Sequence, residues 1–417
     1  IDIGALDVAV LAGYPGTIAA TWQRAGRAGR RTNRSAAVMV ASSAPLDQFV
    51  VRNPSYFFDA SPEHALIDPD NLHILVDHVK CAAFELPFAA DEAFGRHDVQ
   101  EILGVLAEQG LVHQPEPGGP WTWTTESYPA DAVSLRSVSS DNFVVVDTTD
   151  ETRVIGETDF TSGPSTLHPK AIYIVEAKLY QVERFDFEGR KAFVREIDCD
   201  YYTTAITYTK VTEIDAFATE SLRSHGEVHV VSRVVGFKKI KFYTNENVGS
   251  GELDLAEQQM HTTSYWLTIA PEVMAQLPFA ADDRRDGVVG LAYAMRQVAQ
   301  LLLMCDGHDI GISIDGLEAV RLARAELVEG SARSGEAPSA ERQTRIFGYD
   351  NYPGGIGFSA PLYEMHDELL ASTRRLIAEC PCEAGCPGCV GPMGTTGPLA
   401  KAAALRMLNL LVEVAVA

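Results

Sequence analysis

The sequence lacks the marks of a membrane or secreted protein. None of its apolar runs approaches the roughly 20 residues that a membrane-spanning helix needs, and its amino end has no basic region followed by an apolar secretion signal. Disulfide pairing is also disfavoured, because the seven cysteines are an odd number and Cys81, Cys199 and Cys305 stand alone in apolar surroundings. We therefore expect a cytoplasmic protein in which these three cysteines pack in the core.

Basic residues are scarce in the chain as a whole. Its 417 residues include 34 Lys and Arg against 57 Asp and Glu, a formal net charge of −23, which disfavours a polyanion bound over the whole surface. Two stretches depart from this average, and both predict local contacts with nucleic acid. The first runs without an acidic residue from Leu11 to Leu46. The second consists of Arg233, Lys238, Lys239 and Lys241.

The order of apolar patterns predicts an α/β plus α+β multidomain protein. An incomplete α/β unit comes first, and a connector rich in Pro, Asp and Asn follows, which we expect to be extended. Helical spacing before a short strand pair then predicts a winged helix, and β-branched runs predict a sandwich or small barrel. The predicted segments are 1–44 α/β, 45–71 connector, 72–128 winged-helix-like, 129–245 β-rich, and 246–417 helical with a metal site.

The segment QRAGRAGR, residues 23–30, is the most informative motif. On a helix, Arg27 and Arg30 would project from one face, where two guanidinium groups can converge on one anion. Gly26 and Gly29 would let a nucleotide approach the backbone closely. The alternative is an exposed basic helix, but it leaves unexplained two glycines that each cost roughly 1 kcal/mol inside a helix. The motif therefore predicts a phosphate-facing device.

This segment resembles motif six of superfamily-two helicases, and the opening residues Ile1-Asp2-Ile3-Gly4 look like the end of motif five. The resemblance implies that ATP and magnesium lie between two RecA-like domains, of which residues 1–44 would be the tail of the second. It implies arginine fingers, which stabilise the transferred phosphoryl group, and residues that face the nucleotide. The implied catalytic residues are Gln23, Arg27 and Arg30, and the implied nucleotide-facing residues are Asp2, Gly4 and Gly26.

The first RecA-like domain is expected to be missing. No glycine-rich loop of the form GxxxxGK[ST] occurs in the sequence, and the chain begins on a motif without an initiator methionine. We therefore expect a truncated piece whose partner is the missing domain of the same protein. By itself it should not hydrolyse ATP.

A group of four cysteines stands near the carboxyl end, in CPCEAGCPGC. Thiolates at these spacings can surround one tetrahedral ion, and Gly385 and Gly388 permit the sharp turns that so short a loop needs. The predicted ligands are Cys380, Cys382, Cys386 and Cys389. Zinc in a structural role is the first choice, an iron–sulfur cluster also suits four thiolates, and free or disulfide-bonded cysteines are the remaining alternative.

Several further runs, among them LHPKAIYIVEAKLYQVERFDF, YDNYPGGIGFS and CPCEAGCPGCV, resemble in order the accessory region of the bacterial YprA and mitomycin repair factor A helicase family. The resemblance implies a DNA-repair helicase, a hydrolase that moves 3′ to 5′ and prefers single-stranded or tailed duplex DNA. The alternative is a zinc-stabilised nucleic-acid or protein-binding module without motor function. An independent nuclease is disfavoured, because paired carboxylates with histidine at metal-site spacing are lacking.

Other polar and aromatic residues have two interpretations each. The glycine-rich residues 349–357 could hold a phosphate at a helix start, but a tight turn fits better because no basic residue follows. Trp121 and Trp123 could stack a base, although packing within the wing is the better interpretation. We interpret His168 and His261 as polar residues near strand ends.

Overall fold

The computed structural model describes residues 6–29, 34–61, 68–133, 142–317, 343–391 and 396–416. The chain divides into two compact units. Unit 1 contains Ile1–Ile67, Val211–His229 and His261–Ala417, and unit 2 contains Asp68–Lys210 and Val230–Met260.

Unit 1 begins with a β-α-β element. β1 (Val8–Ala12) pairs in parallel with β2 (Ala36–Val40), and α1 (Ile18–Ala25) lies between them in the chain. The Thr17 side chain caps α1 by accepting a hydrogen bond from the amide of Ala20, at 3.0 Å. Parallel strands joined through a helix are the α/β pattern predicted for this segment.

The connector is helical where we expected it to be extended. α2 (Pro45–Arg52) and α3 (Pro54–Asp59) each begin with proline, which fits the first helical turn because the missing N–H has no partner there. The buried Asp47 in α2 accepts hydrogen bonds from the amides of Tyr14 and Ser42. The prediction of extended chain was therefore wrong for these residues, because the prolines start helices instead of interrupting them.

Unit 2 begins with a winged-helix arrangement. Its elements are α4 (Leu72–Glu85), α5 (Val99–Glu108), β3 (Val112–His113) and β4 (Thr122–Trp123). Leucine, isoleucine and valine side chains of both helices form its core, against which Trp121 and Trp123 pack. The indole N–H of Trp121 donates to Oε1 of Gln100 at 2.9 Å. The interpretation of both tryptophans as wing-packing residues is confirmed.

A five-stranded sheet follows in unit 2. Its elements are β5 (Asn142–Asp147), β6 (Arg153–Asp159), α6 (Gly163–Thr166), β7 (Ile172–Val175), β8 (Lys178–Asp186) and β9 (Lys191–Glu196). The strand order is β6-β5-β9-β8-β7, with β5 parallel to β9 and the other pairs antiparallel. The described strands thus form an open sheet with β6 and β7 at its edges, so these five strands do not form a small barrel, and the sandwich stays a prediction.

Three further strands follow the five-stranded sheet: β10 (Tyr201–Glu220), β11 (Arg223–Lys241) and β12 (Asn247–Glu252). β10 and β11 are 20 and 19 residues long, and each contributes residues to both units. In unit 2, β11 pairs antiparallel with β12, from Gly236 opposite Glu252 to Ile240 opposite Asn247. This hairpin carries most of the second basic stretch.

The remainder of unit 1 mixes strands and helices, and the first three residues of its first strand belong to unit 2. Its elements are β13 (Gln258–Ile269), α7 (Pro271–Ala275), α8 (Ala281–Leu303), β14 (Ile310–Asp315), β15 (Thr344–Asp350), α9 (Ser359–Glu364), α10 (His366–Glu379) and α11 (Ala400–Val416). The sheet order is β10-β11-β13-β15-β14. The expectation that residues 246–417 are largely helical was therefore incomplete. Their strands are rich in Thr, Tyr, Trp and Ile, which favour sheet structure.

Candidate metal centre and nucleotide-facing segment

The four cysteines meet in the loop between α10 and α11. Their Sγ atoms all lie within 4.8 Å of one another. Cys380 follows the last residue of α10, and its sulfur is 3.4 Å from that of Cys386. The sulfurs of Cys382 and Cys389 are 3.5 Å apart. Four sulfurs at these separations can surround one tetrahedral ion without rearrangement of the loop.

The chemistry of the donor set also fits a metal cation. Burial raises the pKa of the Cys386 and Cys389 thiols, and neighbouring cysteines raise both further, since adjacent thiolates repel one another. A bound divalent cation removes this penalty, because it holds the ligands as thiolates. Gly385 supplies one sharp turn with a φ of 129°, whereas Gly388 lies outside the left-handed region, so that only one glycine has the predicted role.

A lysine that the sequence analysis missed completes the surroundings of the cysteine cluster. Lys401 of α11 is 8% exposed, and its Nζ donates to the carbonyl oxygens of Cys380 at 2.7 Å and Cys382 at 2.6 Å. Its charge therefore lies beside the two ligands that begin the loop. The only sequence signal would have been a lysine in the apolar first turn of the last helix.

Helix α8 supports the cysteine loop from the other side. The hydroxyl of Tyr293 donates to the carbonyl oxygen of Pro387 at 2.8 Å. A Cβ atom added at Gly290 would lie 2.8 Å from Cβ of Val390, closer than ordinary packing allows. At Gly287 an added Cβ would meet α11 in the same way. The two glycines thus let the loop and the last helix approach α8 closely.

Residues 23–25 of the QRAGRAGR segment lie on α1, whereas Arg27 lies beyond the end of the helix. The amide of Gly26 closes the last turn of the helix, and Gly29 has a φ of 82° with its amide donating to the carbonyl oxygen of Leu6. The backbone therefore leaves the helix before Arg27, and at Gly29 it runs beside Leu6, just before β1. The expectation that Arg27 stands on a helix was wrong, because Gly26 ends the helix, and Arg30 lies outside the described residues.

The structure describes only some of the predicted catalytic and nucleotide-facing residues. Those that are described are all exposed, so they are accessible to a bound phosphate or to another domain. They are Gln23, Gly26 and Arg27. The others lie outside the described residues: Asp2, Gly4 and Arg30.

The second basic stretch is partly balanced by acidic neighbours. Nζ of Lys241 lies 3.5 Å from the carboxylate of Asp200, and the guanidinium of Arg233 lies 3.7 Å from that of Asp254. These ion pairs are exposed, so each holds its partner only weakly. Lys238 is exposed and Lys239 half-buried. The sequence therefore overstated the net positive charge of this surface, which its acidic neighbours reduce.

The glycine-rich turn after β15 already has an internal anion. Asp350 is 1% exposed, and its Oδ2 accepts hydrogen bonds from the amides of Ile356, Gly357 and Phe358 and from the hydroxyl of Thr263. Burial raises the pKa of the Asp350 carboxyl to about 6, although these donors oppose the rise. Because a side chain occupies the amides, the tight-turn interpretation is confirmed over phosphate binding.

Comparisons with known proteins agree with this arrangement. A family profile described as the MrfA Zn-binding domain matches residues 291–390, which include all four cysteines. A second, described as the winged helix domain of ATP-dependent helicase HRQ1, matches residues 67–138. The chain is 41% identical over 415 residues to the uncharacterized ATP-dependent helicase YprA of Bacillus subtilis, covering 98% of this chain and 52% of YprA.

Solved structures give the same result. A crystal structure of the DUF1998 helicase MrfA bound to DNA has a TM-score of 0.60 and 39% identity, covering 99% of this chain and 52% of that one. The chain resembles the C-terminal region of a YprA/MrfA-type helicase. ATP-dependent helicase HRQ1 of Saccharomyces cerevisiae is 29% identical, covering 94% of this chain and 36% of HRQ1.

The YprA/MrfA-type resemblance confirms the expected zinc. The sulfur geometry and the matched Zn-binding domain together identify a structural zinc site. Four protein thiolates leave no coordination position for a substrate. The chain spans about half the length of YprA and of the MrfA structure. None of the helices in the described ranges is long and apolar enough to cross a membrane.

Proposed function

We propose that this chain is part of an ATP-dependent DNA helicase, to which it contributes arginine fingers and accessory DNA-binding surfaces. The relatives named ATP-dependent helicases support this, because their similarity extends over nearly the whole chain. The motif-six-like segment supports it independently, since the exposed Arg27 follows the helix of a β-α-β element.

The observation that carries the proposal is the exposed face of the first two strands. Val8 and Val10 of β1 are 53% and 67% exposed, and Val38 and Val40 of β2 are 47% and 57% exposed. Val10 is the register partner of Val38, so these side chains project from one face of the strand pair. Parallel strands in α/β domains are normally covered on both faces. We infer that more of a RecA-like domain covers these valines in the whole protein.

The roles of the individual residues follow from ATP hydrolysis between two RecA-like domains. ATP would lie with magnesium in that cleft, and the other domain would supply the phosphate loop. Gln23, Arg27 and Arg30 would stabilise the charge that develops on the transferred phosphoryl group. Asp2, Gly4 and Gly26 would face the nucleotide, and Asp2 and Gly4 would help to link the nucleotide site to the DNA strand.

DNA is the proposed substrate. The winged-helix unit and the second basic stretch offer surfaces for it, and the related MrfA has been crystallised bound to DNA. We further propose that single-stranded or tailed duplex DNA is preferred, that translocation runs 3′ to 5′, and that the activity serves DNA repair. The zinc site would hold the C-terminal helices in place without taking part in the chemical step.

A comparison of ATPase rates tests the proposal. The 417-residue chain alone should show no DNA-stimulated ATP hydrolysis, because the phosphate loop is missing from its sequence. The intact protein should hydrolyse ATP faster with single-stranded DNA and should unwind a duplex with a 3′ tail. DNA-dependent turnover by the chain alone, or an intact protein that binds DNA without hydrolysing ATP, would contradict the motor assignment.

A further inference from the structure

The turn between β11 and β12 presents a tyrosine to solvent. Tyr243 is fully exposed and has a φ of 68°, a conformation that bulky residues rarely adopt. The turn itself is well defined, since the Thr244 amide donates to the carbonyl oxygen of Phe242 at 2.8 Å and the Asn245 amide to that of Lys241 at 3.1 Å. The chain thus holds a large aromatic ring outward at a position where asparagine or glycine is the usual residue.

Further aromatic rings lie directly behind this tyrosine. The ring of Phe242 is centred 6.4 Å from that of Tyr243 and 5.6 Å from that of Tyr202. The hydroxyl of Tyr202 is 3.5 Å from Oδ1 of Asn245, and the amide of Phe242 donates to the carbonyl oxygen of Asp200. The three rings therefore form a continuous row, which we call the tyrosine tip, and its inner members are fixed to the neighbouring chain.

Lysines stand beside the tyrosine tip. Nζ of Lys239 lies 4.7 Å from the ring centre of Tyr201, and Lys238 is exposed opposite Ser250 of β12. β12 also contains Gly249 and Gly251, so little side-chain bulk stands in front of these lysines. Adjacent residues of a strand project to opposite faces, so one elongated anion could reach the exposed Lys238 while a planar group lies on the outer ring.

We propose that the tyrosine tip stacks an unpaired base of single-stranded DNA while the exposed Lys238 contacts its phosphates. Aromatic rings interleaved with lysines suit a single strand, because every base has a flat face and every linkage a negative charge. A protein partner would not need lysines in this pattern. The inference rests on the proposed DNA-binding function and adds to it the group that touches the bases.

Binding of two labelled oligonucleotides to the full chain tests the proposal. One is a 20-nucleotide oligothymidylate and the other an abasic strand of equal length, which keeps the phosphates but lacks the bases. Tyr243→Asn suits the turn conformation and should fold normally. It should weaken oligothymidylate binding by roughly 5- to 150-fold and leave abasic binding unchanged. Tyr243→Phe, which keeps the ring, should bind like the unchanged chain.

Two further variants serve as controls. Tyr208→Thr removes an exposed tyrosine from β10, about 20 Å along the strand from Tyr202, and should change neither affinity. Lys238→Glu should weaken the binding of both oligonucleotides and reduce its dependence on salt.

The possible failures can be told apart. Unchanged oligothymidylate binding by Tyr243→Asn would overturn the stacking proposal and leave the tip to a protein partner. Equal losses on both strands would also overturn it, because the contact would then be to the backbone. If the unchanged chain bound neither strand, the proposed DNA binding would itself fail.

Discussion

The ammonium group of Lys401 lies 2.7 Å from the carbonyl oxygen of Cys380, at the point where α10 ends and the zinc loop begins. A zinc ion with four thiolates carries a net negative charge, and a buried lysine beside it offsets part of that charge. The same hydrogen bond ties the loop to the last helix. One side chain therefore serves both the electrostatics and the position of the site.

Replacement of this lysine should loosen the zinc. In Lys401→Met the thiolates lose a nearby positive charge and bind protons more readily, so zinc should be lost at a higher pH during acid titration. We expect Lys401→Arg to retain part of the effect. Zinc release is followed with a colorimetric chelator, and Lys80→Met in unit 2 is the control. If the pH midpoint of zinc release is the same in Lys401→Met as in the unchanged chain, Lys401 has a packing role only.

Loss of a zinc ligand should destabilise unit 1. Metal analysis of the unchanged chain should give about one zinc per chain with no visible absorption, because a filled d shell is colourless. Cys389→Ser should lose the metal and several kcal/mol of unfolding free energy, since zinc binding is coupled to folding of the loop. Cys81→Ser, outside the cluster, should retain both the zinc and the free energy of unfolding. Iron and sulfide in the purified chain, or an unchanged melting temperature without metal, would contradict this prediction.

The buried carboxyl of Asp350 should make stability depend on pH. Its pKa is about 6 in the folded chain, above the ordinary value near 4, so the folded state binds the extra proton. This contribution to the free energy of unfolding is complete below about pH 4 and is lost as the pH rises through about 6. Asp350→Asn cannot titrate. Relative to this variant, the unchanged chain should lose ~2 to 3 kcal/mol over that interval.

Chemical unfolding at several pH values measures this difference. Asp91→Asn, at an exposed site, should follow the unchanged chain throughout. A difference between the Asp350→Asn variant and the unchanged chain that stays constant from pH 4 to 6.5 would show that the carboxyl remains ionised.

Replacement of Arg27, which we propose as an arginine finger, should strongly reduce turnover in the intact protein. Arg27→Ala should lower DNA-stimulated ATP hydrolysis by roughly 10³-fold or more, because the developing phosphoryl charge loses a positive partner. Affinity for DNA should be nearly unchanged. Arg34→Ala removes another exposed arginine from the same stretch and should retain activity. An equal loss of DNA binding in Arg27→Ala would instead make this arginine a DNA contact.

The sequence by itself was sufficient to predict the zinc site. Its four ligands fall within ten consecutive residues, Cys380 to Cys389, so a short loop must bring the sulfurs together whatever the rest of the chain does. The buried face of α8 could also be predicted from the sequence. Leu291, Met295 and Val298 recur at helical spacing, and all three are buried. Both features depend on residues that are near one another in the chain.

Only the tertiary structure decided which side chains complete these sites. Lys401 reaches Cys380 because α11 packs against α8, a contact that no local pattern encodes. In the same way, the Asp350 side chain accepts hydrogen bonds from the amides of its own turn. These amides are therefore not free to bind a phosphate. The end of α1 at Gly26 was hidden because the return of the backbone beside β1 depends on a hydrogen bond to Leu6. Sequence spacing is enough to predict a site whose ligands are close in the chain. The lysine beside the zinc ligands and the end of α1 depend on partners that only folding brings near.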